Sequence, residues 1–296
     1  MKSCVIRTPA SSANLGPGFD SLGIALGLYN EVEVEVRAEG LSFGPCDLFP
    51  KNEENLFVQA YTLAMEHMGL PRGGLWVSEH PAIPLSRGLG SSAAAIVAGV
   101  LAANTLHESP LTREEMLSIA AKLERHPDNV APALLGGFRA SMMVGEKVVS
   151  AALPCDNLYF TAVVPPFSVP TVKARALLPE TVPFKDAVFN LSRIALLARG
   201  LETGDIPLIR LAIQDKLHQD YRRGQIPGCE KLEKIADELG AAFCLSGAGP
   251  SLLLISDEEG TPARVEEQLT GELADWKVLP LRRDVYGATV IAGDDD

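Results

Sequence analysis

The most informative stretch of this sequence is Pro84-Leu85-Ser86-Arg87-Gly88-Leu89-Gly90-Ser91-Ser92-Ala93-Ala94-Ala95. In it, a turn with two glycines leads directly into a wholly apolar helical segment. Glycine lets the backbone come close to a ligand, and the first N–H groups of a helix are unpaired and carry the positive end of the helix dipole. The stretch therefore predicts a binding site for an anion such as phosphate. The alternative is a serine-capped buried helix without a ligand.

Two other phosphate-binding motifs fit this stretch poorly. The segment Gly88-Leu89-Gly90-Ser91-Ser92-Ala93 matches the dinucleotide pattern G-x-G-x-x-A, but Pro81 and Pro84 precede it, where that fold needs a smooth central strand. A Walker A loop needs a Gly-Lys pair before Ser or Thr, and the sequence contains no Gly-Lys pair. A phosphate bound here must therefore rely on backbone amides.

Two neighbouring segments are rich in polar groups. Residues 9–20 form a turn-rich loop after the first predicted strand, in which Asn14 and Asp20 offer hydrogen bonds and one negative charge. Residues 123–132 carry an acid, an imidazole, a second acid and an amide within six positions, namely Glu124, His126, Asp128 and Asn129. A surface turn, a helix-end carboxylate and a structural histidine are the alternatives without chemistry.

The composition is that of an ordinary globular protein. The 296 residues are 47% hydrophobic and 22% charged, which predicts a sizeable buried core. The length favours two domains, predicted at residues 1–150 and 151–296. The formal net charge of −12 would repel a phosphodiester backbone, so we expect no nucleic-acid partner.

The sequence predicts a cytoplasmic protein without a membrane partner. Its longest apolar run, residues 93–103, is about half of the roughly 20 residues that cross a bilayer. The N-terminal residues lack the apolar region of a secretory signal. The five cysteines are odd in number and widely spaced, which indicates neither a disulfide framework nor a thiolate metal site.

Hydrophobic periodicity and capping residues predict strands and helices that interleave in both halves. Strands are predicted at residues 30–40, 242–246, 252–256 and 285–292. Helices are predicted at residues 52–68, 112–124, 186–202, 205–219 and 228–239. The first of these helices has Asn52 as its predicted cap, and the second has a capping box of Thr112 and Glu115. The turn at residues 246–251 is either a ligand contact or only a hairpin turn.

Taken together, the segments resemble the GHMP small-molecule kinases. The loop Ser12-Ala13-Asn14-Leu15-Gly16-Pro17-Gly18-Phe19-Asp20 and the segment His126-Pro127-Asp128-Asn129-Val130-Ala131-Pro132 resemble the homoserine branch of that superfamily. The resemblance implies an α+β fold in two parts, with an N-terminal half like ribosomal protein S5 domain 2 and a ferredoxin-like C-terminal half. It also implies ATP-dependent phosphorylation of the side-chain hydroxyl of L-homoserine to O-phospho-L-homoserine, a step of threonine biosynthesis, and it suggests a homodimer.

The resemblance also implies which residues bind the nucleotide. Ser92 and Glu124 are similar to the pair that ligates Mg²⁺, a hard cation that prefers oxygen ligands. Asn55 is similar to a residue of the adenine pocket, with a place in the first helical turn as its alternative. The residues expected around the ATP phosphates are Pro84, Ser86, Arg87, Gly88, Leu89, Gly90, Ser91 and Ser92.

For the amino acid, the resemblance implies a pocket with charges of both signs, because homoserine is a zwitterion. The residues expected at its amino group and reacting end are Asn14, Asp20, His126 and Asp128. Arg175 and Arg222 are expected at its carboxylate, with Arg223 as the alternative to Arg222. Asn129, in the expected catalytic set with Ser92 and Glu124, stands where mevalonate kinases carry an aspartate proposed as the base.

Two residues depart from the family's pattern. Arg125 replaces the glycine that usually follows the metal carboxylate, and Ala248 stands where serine is common.

Three other functions stay open. The first alternative function is a GHMP kinase for another alcohol. The second is a metabolite-binding protein that has lost transfer, and the third is a nicotinamide oxidoreductase.

Overall fold

The computed structural model describes residues 2–108 and 110–293. Its strands are β1 (Ser3–Ala13), β2 (Leu22–Arg37), β3 (Leu41–Phe43), β4 (Gly74–His80), β5 (Phe138–Val144), β6 (Lys147–Leu153), β7 (Tyr159–Val164), β8 (Ala242–Leu245), β9 (Leu252–Ser256), β10 (Lys277–Leu281) and β11 (Thr289–Gly293). Its α-helices are α1 (Leu56–His67), α2 (Ser91–Leu106), α3 (Arg113–Glu124), α4 (Pro127–Leu135), α5 (Thr171–Ala176), α6 (Phe184–Thr203), α7 (Ile206–Ala212), α8 (Gln219–Arg223), α9 (Cys229–Glu238) and α10 (Thr261–Gln268).

Two sheets organise the described residues. The larger sheet has the order β11-β1-β2-β4-β3, and the hairpin of β5 and β6 extends it from β2. The smaller sheet has the order β10-β7-β9-β8, with all pairs antiparallel. The chain passes from the first sheet to the second between Leu153 and Tyr159, and β11 returns to the first sheet. The domain boundary near residue 150 stays a prediction.

Helix α2 is the centre of the larger half. It packs against β1, α1, α3 and α4, and it is buried on nearly every side, which explains why its sequence is apolar all round. A Cβ atom at Gly99 would meet the backbone of Phe57, so the glycine lets α1 and α2 approach closely. This packing fixes the N-terminus of α2, where the glycine-rich turn ends.

A second apolar cluster joins the two halves beneath that turn. It contains Leu15 and Leu89 from the loops of the first half and Phe160, Leu197 and Leu253 from the second. These side chains are fully buried. Their burial holds the β1–β2 connection, the glycine-rich turn and the β8–β9 turn against one another.

Several predicted elements are confirmed. The Thr112 and Glu115 capping box begins α3, which ends at Glu124 as predicted. Strands β8 and β9 flank the predicted turn, and α9 lies within its predicted range. Strand β2 alternates between buried and less buried residues over its second half, and it begins earlier than predicted, at Leu22.

Four predicted details are wrong. Asn55, not Asn52, caps α1, because its side chain accepts the N–H groups of Phe57 and Val58. The predicted helix at 205–219 ends at Ala212 as α7, with α8 beginning only at Gln219, and residues 9–13 of the predicted loop at 9–20 belong to β1. The closing strand begins at Thr289, not at residue 285. Among the described helices, none is long and apolar enough to span a membrane.

Candidate active site

One cleft collects most of the residues predicted from the sequence. Its walls come from the β1–β2 connection, the starts of α2 and α4, the end of α3, the β8–β9 turn, α5 and α8. The predicted residues that line it are Asn14, Asp20, Ser86, Arg87, Gly88, Gly90, Ser91, Ser92, Glu124, His126, Asp128, Asn129, Arg175 and Arg222. Pro84, Leu89 and Asn55 lie outside the lining, and the Leu89 side chain is wholly buried.

The glycine-rich turn at residues 88–90 places the N-terminus of α2 in the wall of the cleft. Gly88 and Gly90 have φ values of 78° and 70°, in the left-handed region that favours glycine. A Cβ atom on Gly90 would meet the Ser11 hydroxyl, so the turn also needs the missing side chain. Gly90 caps α2 without a side-chain hydrogen bond, and the buried Ser91 hydroxyl has no partner among the described residues. These unpaired groups suit an anion.

Ser92 and Glu124 meet at the edge of this turn. The Ser92 Oγ donates to Glu124, with distances of 2.8 Å and 3.0 Å to Oε1 and Oε2. Burial raises the pKa of the Glu124 carboxyl, while the charge of His126 and the Ser92 hydroxyl act in the opposite direction. A hydroxyl beside a carboxylate is a donor set that fits Mg²⁺.

Glu124 lies at the end of a helix whose cap is an arginine in the left-handed conformation. It is the last residue of α3, and Arg125 follows with a φ of 76°. This left-handed conformation is the one that glycine adopts without cost, and an arginine occupies it here. The chain then turns into α4, which starts with Pro127 after His126.

An acidic group lies next along the cleft. The ligand atoms of Asp20, His126 and Asp128 all lie within 4.8 Å of one another. Nδ1 of His126 lies 2.6 Å from Oδ1 of the buried Asp128. Burial by itself disfavours the imidazolium, but the hydrogen bond to Asp128 and the charges of Asp128, Glu124 and Asp20 outweigh it and raise the pKa of His126. This part of the cleft favours a cation.

Two arginines, Arg175 and Arg222, line the same cleft as this acidic group. Arg175 Nη2 donates to Asp20 Oδ1 at 2.6 Å, and the ring of Phe19 lies 5.4 Å from the guanidinium carbons of both Arg175 and Arg222. Arg222 is 3% exposed, and within the described ranges no carboxylate forms a salt bridge with it. Arg223 pairs with Glu233 and does not line the cleft. Of the two neighbours, Arg222 is therefore the cation available to a ligand.

A buried network holds Arg222. His218 Nε2 lies 2.9 Å from Gly16 O, and His218 Nδ1 lies 3.2 Å from Arg222 Nη1. Because a carbonyl only accepts and a guanidinium only donates, Nε2 carries the proton and Nδ1 accepts from Arg222. Asp215 accepts the backbone N–H groups of Leu217, His218 and Gln219. These hydrogen bonds form a turn between the end of α7 and the start of α8. Burial lowers the pKa of His218, which keeps it neutral.

The side chains of Asn14 and Asn129 are fixed by neighbouring loops. Asn14 donates to Gly247 O at 2.9 Å and accepts the N–H of Asp20 at 3.0 Å. Asn129 Oδ1 accepts from the Ser11 hydroxyl at 2.9 Å. The Ser246 hydroxyl in turn lies 2.6 Å from Gly88 O, which ties the β8–β9 turn to the glycine-rich turn.

The sequence did not single out the apolar end of the cleft. Its lining there is Phe49, Pro50, Leu56, Leu85 and Ala95, together with Glu54 and Glu79. Asn55 lies behind this lining, where it caps α1. Phe19 lies in the loop that the sequence marked, and His218 lies four residues before the predicted Arg222. No local pattern indicated that Phe19 contacts both arginines or that His218 accepts a hydrogen bond from Arg222.

The comparisons with known proteins agree with this geometry. Residues 55–137 match the family model of the GHMP kinases N terminal domain, and residues 197–275 match that of the GHMP kinases C terminal domain. A homoserine kinase of Caldicellulosiruptor saccharolyticus is 43% identical over 298 residues, which cover 97% of this chain and 96% of that protein. A homoserine kinase of Clostridium botulinum is 40% identical over 289 residues, which cover 96% of this chain and 97% of that protein.

Solved structures show the same fold. The crystal structure of homoserine kinase from Cytophaga hutchinsonii superposes with a TM-score of 0.89 at 30% identity, and it covers 98% of this chain and 97% of its own. A mevalonate kinase from L. major superposes with a TM-score of 0.72 over 95% of each chain at 17% identity, which shows the fold alone. The chain therefore belongs to the homoserine kinase family of the GHMP kinases, with the two-part α+β fold of that superfamily.

Proposed function

We propose that this protein is an ATP-dependent homoserine kinase, which transfers the γ-phosphoryl group of ATP to the side-chain hydroxyl of L-homoserine. The product, O-phospho-L-homoserine, serves threonine biosynthesis. The observation that carries the proposal is the set of groups that line one cleft. They are an amide-rich helix start, several apolar side chains, and charges of both signs. The predicted cytoplasmic location and homodimer stay predictions.

The charged pocket suits an amino acid. The acidic group of Asp20 and Asp128, beside His126, attracts an ammonium group. Arg175 and Arg222 attract a carboxylate, and the buried Arg222 lacks a protein counter-ion among the described residues. An uncharged alcohol such as a sugar would leave the buried Arg222 without a counter-ion, which is costly. The pocket therefore supports a zwitterion over other alcohols.

We assign the nucleotide phosphates to the backbone amides of residues 88–92, and Mg²⁺ to Ser92 and Glu124. Bound there, the cation would neutralise charge on the phosphates during transfer. Arg87 stays a predicted neighbour of the phosphates, and its guanidinium is held by the carbonyls of Leu85, Pro165 and Pro166. Positive charge for the phosphates then comes from the helix start and the metal.

The reaction requires alignment more than a strong base. Phosphoryl transfer passes through a loose transition state, in which positioning and charge neutralisation dominate the rate. Asn129 is an amide and accepts no proton, and its Oδ1 is already bonded to Ser11. We propose that Asn129 helps to shape the reacting end, and that the hydroxyl proton leaves through the transferred phosphate.

A coupled ADP-release assay tests the function directly. The purified protein is given ATP and Mg²⁺ with L-homoserine, L-serine, L-threonine, mevalonate or galactose in parallel. ADP release that depends on homoserine, with mass spectrometry of O-phospho-L-homoserine, is the expected result. Release with mevalonate or galactose but not with homoserine would overturn the substrate, and binding of ATP without any release would favour the metabolite-binding alternative.

A further inference from the structure

Asn55 has no polar group left for a nucleotide. Its Oδ1 accepts the N–H groups of Phe57 at 2.9 Å and Val58 at 3.3 Å. Its Nδ2 donates to Pro50 O at 3.0 Å and to Glu79 Oε2 at 2.9 Å. An amide side chain offers two acceptor lone pairs and two donor hydrogens, and all four are used. Asn55 therefore supports the apolar end of the cleft from behind rather than contacting a ligand there.

Glu79 is the buried acidic residue at this end of the cleft, whereas Glu54 is exposed. The residue is 8% exposed and lies on the cleft wall, and Oε2 is oriented by Asn55. Within the described ranges no cation pairs with it. Glutamate is almost never buried without a partner, and burial raises the pKa of this carboxyl, with Asn55 acting in the opposite direction. The carboxylate lacks a donor that a ligand can supply.

The surroundings of Glu79 suit a flat heterocycle. Phe49, Pro50, Leu56, Leu85 and Ala95 line this end, and the charged pocket with its arginines lies elsewhere in the same cleft. With the phosphates held at residues 88–92, these apolar side chains of the same cleft suit the base of the nucleotide. The Glu79 carboxylate can then discriminate between bases by the hydrogen-bond donors that they present to it.

We propose that Glu79 selects adenine, with its free carboxylate oxygen accepting a hydrogen bond from the exocyclic 6-amino group of the base. The inference rests on the proposed function for the identity of the phosphate site. Adenine presents an amine donor at position 6, and guanine presents a carbonyl acceptor there. Because Asn55 already donates to Oε2, Oε1 is the Glu79 oxygen without a protein donor, and the proposed contact is one hydrogen bond from the amine of the base to this oxygen.

Purine riboside triphosphate, which lacks the 6-amino group, isolates this contact. For the unmodified protein we expect ATP to exceed it at least about tenfold in kcat/KM, with GTP poorer still. In Glu79→Gln, the amide oxygen must face the Asn55 donor, so an N–H group faces the cleft instead of an acceptor. The preference for ATP over purine riboside triphosphate should then fall to within about twofold.

A matched control and a second readout complete the experiment. Glu33→Gln removes the same charge from the neighbouring strand, opposite Ser78 and outside the cleft, and should keep the preference of the unmodified protein. Calorimetric Kd values of the unmodified protein for ATP and purine riboside triphosphate test the same contact without any variant. Equal affinities, an unchanged ratio in folded Glu79→Gln, or a preference for GTP would overturn the proposal. Failure to phosphorylate homoserine would overturn the proposed function, while the binding measurement would still judge Glu79.

Discussion

The hydroxyl of Ser92 lies 2.8 Å from Oε1 of Glu124, although 32 residues separate them in sequence. Ser92 stands in the first turn of α2, and Glu124 is the last residue of α3. Two helix ends thus bring a hydroxyl and a carboxylate together where phosphates are expected. We propose that the pair holds the metal beside the anion site, where it would neutralise charge during phosphoryl transfer.

Glu124→Gln should lower kcat at least about 100-fold, because a neutral amide is a poor ligand for a hard cation. The free energy of unfolding should change by less than about 1 kcal/mol, since the amide keeps the volume and the hydrogen bond to Ser92. Steady-state kinetics over a range of Mg²⁺ concentrations and denaturant titrations measure both. Glu114→Gln, in the first turn of the same helix, is the control. An unaltered kcat in Glu124→Gln would remove Glu124 from the reaction.

Arg222→Met should raise the KM for homoserine about 100-fold and leave the KM for ATP nearly unchanged, because it removes a buried cation from the carboxylate end of the pocket. Arg223→Met provides a control that differs by one position. Arg223 pairs with Glu233 outside the cleft, so its loss should change the KM for homoserine by a factor of about three at most. A larger effect from Arg223 than from Arg222 would reverse the assignment.

The pairing of His126 with Asp128 should make stability depend on pH. The pKa of His126 is raised above its ordinary value of 6.5, so the folded protein binds the proton more tightly than the unfolded chain. The contribution is therefore fully present below that ordinary value and is lost as the pH rises through the higher pKa of the folded state. The difference in unfolding free energy between the unmodified protein and His126→Gln should be larger near about pH 5.5 than near about pH 9. A difference that grows with pH would contradict the sign.

Arg125→Gly should stabilise the fold by about 0.5–1 kcal/mol. Arg125 has a φ of 76°, where a side chain costs roughly 1–2 kcal/mol, and the gain is reduced by the greater freedom of glycine in the unfolded chain. Arg125→Ala keeps the Cβ atom and should give little gain, so chemical denaturation of the two variants separates backbone strain from loss of the arginine. Equal stabilities of the two variants would show that the strain is not the cause.

Local signals predicted the elements whose ends are set by local chemistry. The capping box of Thr112 and Glu115 fixes the start of α3 within one turn, and the sequence pattern contained both partners. Asn52 and Asn55 both precede α1, and Asn52 accepts the N–H of Glu54 in the preceding turn, so only the structure shows which one caps the helix.

The sequence could not predict helix ends and side-chain positions that depend on contacts between residues far apart in the chain. The predicted helix at 205–219 ends early because Asp215 accepts the backbone N–H groups of His218 and Gln219 in a turn and also accepts a hydrogen bond from Asn190 at 2.7 Å. Glu79 stands in an ordinary strand pattern, and only the fold brings its carboxylate to the cleft beside Asn55. The motif segments were recognisable because their glycines and polar residues are local, whereas these positioning groups come from other parts of the chain.

A crystal structure with a non-hydrolysable ATP analogue, Mg²⁺ and L-homoserine would show whether backbone amides at the start of α2 hold the triphosphate. We expect phosphate oxygens on the N–H groups of residues 88–92, the metal on Ser92 and Glu124, and the base in the apolar end beside Glu79. Triphosphate density anywhere else in the molecule would contradict it.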